Sequence, residues 1–209
     1  MRLSGRVLIA AVRLLIGPRA RWVGAGPSPA QRIYFSNHLS HIDTLAIWAA
    51  LPRRLRTRTR VGAARDYWGK GLKRHLATRS FGAVLIDRVM ERPGADPLRP
   101  LRELLDAGDS LIIYPEGTRG IGPVPARFRD GLYRLAVAYP AVELVPVYLD
   151  NLHRVLPRGA VLPVPMLCTV SFGSPLALAA GETCEDFLAR ARRAMMALGG
   201  VDDENAVDA

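Results

Sequence analysis

Ile33-Tyr34-Phe35-Ser36-Asn37-His38-Leu39-Ser40-His41-Ile42-Asp43 is the stretch from which the chain is best read. Its first three residues are bulky, β-branched or aromatic, and suit a short buried strand. Ser36-Asn37-His38 ends that run, and over residues 41–51 apolar residues return at three- and four-residue steps, the period of a helix. The order strand, polar turn, helix then recurs. Apolar runs at Ala83–Ile86, Leu111–Tyr114, Leu144–Leu149 and Met166–Phe172 predict further strands, with helical periods over 66–79, 97–107 and 130–139 and an amphipathic last helix over 183–198. Strands alternating with helices predict the α/β class: a single domain with a mostly parallel sheet flanked by helices.

Three polar clusters follow directly on three of the apolar runs: Ser36-Asn37-His38, Asp87-Arg88, and Glu116-Gly117-Thr118-Arg119 one residue past Pro115. In parallel α/β sheets ligands bind at the carboxyl ends of strands, so these clusters are expected to converge. His38 and Asp43 are five residues apart. On one helix that is about 500° of rotation, so they meet only if His38 lies in the turn before the helix. Ser40-x-x-Asp43 reads as a capping box, which starts the helix after His38. Two readings follow from the spacing: Asp43 orients His38 as a general base, or Asp43 merely caps the helix, with His41 as a nearby decoy. Arg88 offers a bidentate fork to phosphate or a surface salt bridge to Asp87 or Glu91. Glu116 to Arg119 combines an acid, a glycine, a hydroxyl and a guanidinium, suited to a phosphorylated head group or to an ordinary polar loop.

The 209 residues suit one domain with a real core. Lys and Arg number 29 against 19 acidic residues, a net charge of +10, which favours an anionic partner or reflects an arginine-rich composition. Aromatic residues make up only 7% and no nucleic-acid motif appears, so nucleic acid is not an expected partner. Two cysteines form neither a disulfide framework nor a metal site. Val7 to Ile16, broken by Arg13, falls short of the roughly 20 apolar residues of a spanning helix. Residues 1–30 therefore read as an amphipathic membrane-associating helix with Trp22 near its end, or as a first helix packed on the core; 31–200 form the main domain and 201–209 an acidic tail. The run Arg53, Arg54, Arg56, Arg58 and Arg60 is expected to face lipid head groups or donor phosphates, or simply solvent.

Taken together, the clusters resemble the glycerophosphate and lysophosphatidate acyltransferase family. Its H-x4-D motif is similar to His38–Asp43, its strand ending in Arg to Gly82–Arg88, its E-G-T-R motif to Glu116–Arg119, and its F-[KR]-x-G motif to Phe128–Gly131. Its proline-bearing fourth strand is similar to Val145-Pro146-Val147, so the resemblance covers roughly residues 33–150. It implies an acyltransferase-like fold in which His38, oriented by Asp43, deprotonates an acceptor hydroxyl that attacks an acyl thioester without an acyl-enzyme. Arg88 and Arg119 would hold the acceptor phosphate, and Glu116, Gly117 and Thr118 would shape the head-group site. No metal and no bound cofactor are implied. The co-substrate would be acyl-CoA or acyl-carrier protein and the acceptor a lysophospholipid, most simply lysophosphatidic acid. The expected partners include an anionic membrane surface, and the expected location is the cytoplasmic face of a membrane, held peripherally or monotopically. Alternatives are an acyltransferase or transacylase for another lysolipid, and a non-catalytic lipid-binding protein of the same fold.

Overall fold

Alternation along the central strands divides the interior into two cores. Ile33 and Phe35, Leu111 and Ile113, and Leu144 and Tyr148 pack on one face of the sheet, whereas Tyr34, Ile112, Val145, Val147 and Leu149 pack on the other. Such strands are apolar on both sides because both faces are covered. The computed structural model describes residues 10, 13, 17–24, 26–40, 42–64, 83–86, 96–120, 124–150 and 168–202. The strands are β1 (Arg19–Trp22), β2 (Arg32–Ser36), β3 (Thr59–Ala64), β4 (Ala83–Ile86), β5 (Ser110–Ile113), β6 (Glu143–Asp150) and β7 (Thr169–Phe172). The helices are α1 (Asp43–Ala50), α2 (Arg53–Arg56), α3 (Arg99–Asp106), α4 (Gly131–Ala138) and α5 (Cys184–Ala197).

These strands form one sheet in the order β1-β7-β6-β2-β5-β3-β4. From β6 to β4 every pairing is parallel; β7 runs antiparallel to β6, and β1 follows β7. Chirality explains the helix placement. The β2-α1-β3 connection crosses the sheet in one direction and β5-α4-β6 in the other, and right-handed crossovers of opposite direction must lie on opposite faces. Accordingly α1 packs with Tyr34, Ile112 and Val145, while α3, α4 and α5 pack with Ile33, Leu111 and Leu144. The chain leaving β2 and the chain leaving β5 therefore diverge to opposite faces, opening a crevice between two adjacent strand ends.

Five of the seven described strands and four of the helices α1–α5 follow the sequence expectation. The short strands β1 and β3 do not. Arg19–Trp22 pairs with β7 at the sheet edge, and Trp22 stacks on Phe172 at 4.1 Å, so these residues are strand rather than the end of a helix. Exposed arginines alternating with Ala20 and Trp22 gave them no apolar run. Ala10 and Arg13 are helical, while the rest of 1–16, the 66–79 helix, Asp87, Arg88, His41 and 203–209 lie outside the described residues.

Two members of the arginine run, Arg56 and Arg60, depart from the expectation. The run sits at the edge of the sheet where β3 begins, opposite the crevice, and does not form one face. Arg56 is buried, donating to the Ala49 and Leu51 carbonyls at the end of α1, where Arg13 also donates to Ala49. Arg60 pairs with Asp109, and Arg53, Arg54 and Arg58 are exposed. Burial, reinforced by Arg13, lowers the Arg56 pKa.

Opposite α1, α5 packs Phe187, Ala191 and Met195 inward. Its start is fixed by Thr183, whose Oγ1 accepts the Asp186 N–H at 3.2 Å. Replacing an N-cap threonine by alanine typically costs about 1 kcal/mol. Thr183→Ala should lower the urea midpoint by a corresponding amount without changing the slope, and Thr183→Ser should restore it.

Candidate active site

The crevice predicted by the topology is where the polar clusters meet. Asn37 is fully buried, and its side-chain amide continues the parallel ladder beyond Ser36: Oδ1 accepts the Leu149 N–H at 2.9 Å and Nδ2 donates to the Leu149 carbonyl at 3.1 Å. With β2 thus tied to β6, the next residue emerges at the strand end as His38.

His38 Nδ1 lies 2.8 Å from Asp43 Oδ2. That oxygen also accepts the backbone N–H groups of Leu39 at 2.6 Å and Ser40 at 2.8 Å. That oxygen already takes two backbone donors and acts as an acceptor, which assigns the Nδ1 hydrogen to this contact and makes Nε2 the acceptor position of the neutral imidazole. No described residue bonds Nε2, and the His38 side chain retains 23% exposure while Asp43 has none. His38 lies outside the helix, as the spacing requires. The capping box is only half formed. Asp43 reaches back to the Ser40 N–H, but α1 begins at Asp43 with no side-chain cap, and Ser40 Oγ is buried without a partner among the described residues. The three-donor cradle for Asp43 has taken the place of the reciprocal bond.

The loop after β5 holds His38 from the other side. Tyr114 to Gly117 is a tight turn, closed by the Gly117 N–H on the Tyr114 carbonyl at 3.0 Å, with Pro115 at its second position. Gly117 has φ +71°, a backbone conformation that favours glycine, and a Cβ there would lie 2.7 Å from Arg129 Nε, so that side chain would have to move. Within this turn Glu116 is 3% exposed; Oε1 accepts the His38 N–H and Oε2 the Ala126 N–H, both at 2.8 Å. The Gly120 N–H closes the circuit by donating to the His38 carbonyl at 2.8 Å. Burial pushes the Glu116 carboxyl up, and its bonds to Ala126 and His38 draw it back part of the way.

Tyr114 is the residue whose part the sequence did not disclose. Its ring stacks on the His38 imidazole at 4.1 Å and 19°, and its hydroxyl lies 2.9 Å from Thr44 Oγ1 on α1. Burial, then the Asp43 carboxylate, hold the phenol well above its ordinary range, so it stays protonated. The only available signal was its position at a strand end, directly before Pro115. Tyr114 also walls an apolar cavity of about 210 Å³ between α3, α4 and the end of β5, lined by Leu98, Leu101, Ile113, Leu132 and Leu135 with Arg129 at its rim.

Of the residues singled out in the sequence, His38 and Asp43 are in contact, and Glu116 and Gly117 are locked to their loop. Thr118 is exposed, and Arg119 half-buried, in the same turn. Arg88 lies outside the described residues; β4, the strand before it, is three strand spacings from β2, about 14 Å.

Fold and site together define a doubly wound α/β protein with a histidine–aspartate pair at its strand ends. The chain belongs to the acyltransferase family, whose model, described as Acyltransferase, matches residues 25–150, more than half of the chain. A 1-acyl-sn-glycerol-3-phosphate acyltransferase of Chlamydomonas reinhardtii is 36% identical over 78 residues, 37% of this chain and 23% of that protein. A chloroplastic protein of the same description from Arabidopsis thaliana is 32% identical over 84 residues, 40% of this chain and 23% of its own. The matched stretch thus spans about a quarter of the length of these relatives. The solved structure of the 1-acyl-sn-glycerophosphate (LPA) acyltransferase PlsC from Thermotoga maritima shares the fold, with a TM-score of 0.69 over 96% of this chain and 83% of that one, at 17% identity.

Glu116→Gln tests the lock. An amide presents an N–H₂ where a backbone N–H needs an acceptor, and leaving such a buried group unsatisfied costs about 1–3 kcal/mol. The variant should unfold at correspondingly lower urea, whereas the exposed Thr118→Ala should leave the midpoint unchanged.

Proposed function

We propose that the chain is a 1-acyl-sn-glycerol-3-phosphate O-acyltransferase, moving a fatty acyl group from an acyl-CoA or acyl-carrier-protein thioester to the free hydroxyl of lysophosphatidic acid. The observation that carries this reading is the His38–Asp43 pair at 2.8 Å, with Nε2 bonded by none of the described residues. Nε2 takes the proton of the acceptor hydroxyl while that oxygen attacks the thioester carbonyl carbon. Asp43 holds the imidazolium that forms. The tetrahedral intermediate then expels the thiolate, which takes the proton back from Nε2, and an ester has replaced a thioester. No covalent link to the protein is needed. Arg119 and Arg88 hold the acceptor phosphate as bidentate forks, and Gly117 and Thr118 border the head group. Glu116 acts by fixing the His38 backbone.

The apolar cavity behind Tyr114 suits the acyl chain, since it ends beside the ring stacked on the base. The reaction belongs at a lipid surface, and a net charge of +10 favours an anionic one at the cytoplasmic face. No helix among the described residues is long and apolar enough to cross a membrane.

Acyl transfer from a long-chain acyl-CoA to lysophosphatidic acid should be present in the native chain. It should fall by about 10²–10⁴-fold in His38→Ala with the fold intact, the usual contribution of a positioned base; transfer surviving in that variant would refute the mechanism. Narrowing the cavity with Leu98→Trp should shorten the preferred chain. Each excluded methylene is worth about 0.8 kcal/mol, so losing room for two should reduce the long-to-short ratio of kcat/KM by about tenfold.

A further inference from the structure

We propose that a second cleft, between α5 and the segment from Pro125 to Phe128, binds the phosphorylated nucleotide end of a coenzyme A thioester. This rests on the donor chemistry proposed above, and it assigns that donor a place. The cleft is about 490 Å³, and it is distinct from the apolar cavity. On α5 its wall is a single helical face: Cys184, Leu188 and Arg192 follow one another four residues apart, with Glu185, Ala189 and Arg193 beside them. The opposite wall carries Arg127, and Phe128 faces the cleft as well as meeting Phe35 edge-on at 6.2 Å. Arg192 Nε donates to the Pro125 carbonyl at 2.9 Å, which draws the loop to the end of the cleft where Arg193 also lies. Glu185 sits two helical turns from Arg193, about 12 Å along the axis, so Arg192 and Arg193 stand at the end of the helical wall away from the acid.

The chemistry at that end is specific. Arg127 and Arg193 make no hydrogen bond or ion pair among the described residues, and both line the cleft. Arginine forks are suited to phosphate, and Leu188, Ala189 and Phe128 supply an apolar surface for a flat base. A concave site that is apolar with a few convergent charges is the form of a small-ligand pocket rather than of a protein-docking face. The loop also leads to the base: Ala126, next to Arg127, donates to Glu116, whose other oxygen accepts from His38. A donor anchored by its phosphates in this cleft thus lies at the same edge of the sheet as the reacting histidine.

The test is calorimetric binding of coenzyme A to the full chain, comparing native protein with Arg127→Gln/Arg193→Gln, whose substitutions remove the charges but keep polar side chains, with folding checked by near-UV circular dichroism. Affinity should fall by about tenfold or more on losing charge-assisted contacts to phosphate, while pantetheine, which has no phosphate, should bind both proteins alike. In turnover the donor KM should rise and the acceptor KM stay in place. Equal coenzyme A affinity in both proteins, or no binding by the native chain, overturns the proposal. So does a loss confined to holo-acyl-carrier protein or to anionic vesicles, either of which makes the cleft a macromolecular or membrane surface. Absence of acyl transfer by the native chain would defeat the proposed reaction, yet the binding comparison would still decide the cleft.

Discussion

The buried carboxylate of Glu116 is the constraint on which the site depends. Its two oxygens join three segments far apart in sequence: the turn after β2 through His38, the turn after β5 to which it belongs, and the loop before α4 through Ala126. Placing an acid in a nearly dry setting is unfavourable, and its raised pKa records this. The two N–H bonds offset that cost only while both loops keep their shape. Geometry at His38 is consequently not a local property of the histidine turn. The imidazole is bonded at Nδ1 and stacked by Tyr114, and the backbone behind it is held at its N–H and at its carbonyl.

Topology supplies the opening into which these groups project. Because the crossovers leaving β2 and β5 pass to opposite faces, neither α1 nor α4 roofs the space between the two strand ends, and polar side chains can face a ligand there without breaking either core. The same divergence gives the two turns different tasks. One carries the ionisable pair, and the other, built on Pro115 and a glycine at positive φ, carries the lock.

Much of this was legible in the sequence because the central strands are unbroken apolar runs and their polar sequels lie at fixed offsets. Helical geometry set the condition under which His38 and Asp43 could meet, and the Ser40-x-x-Asp43 pattern put the start of the helix after His38. The remainder depends on partners that no local pattern reveals. Thr59–Ala64 carries Arg60 and Gly62 and has no apolar run, and it becomes a strand because β5 and β4 offer it ladders on both sides. Arg56 looked like one more surface cation, yet it is drawn inward by two carbonyls. Ser40 fitted a cap but lost that role when Asp43 was taken up by three other donors. Tyr114 acts through a ring contact with a residue 76 positions away, and such a contact leaves no periodic trace.

The burial of Arg56 has a consequence for helix α1. A helix is a dipole, positive where it begins and negative where it ends. Asp43, the anion that orients the imidazole, occupies the positive head of this eight-residue element, while Arg56 and Arg13 occupy its negative tail. Over about 12 Å of helix the charges at both ends oppose the field of the peptide groups between them. One short rod thus carries a favourable charge at each end, an anion at the reacting edge of the sheet and cations at the arginine-rich edge.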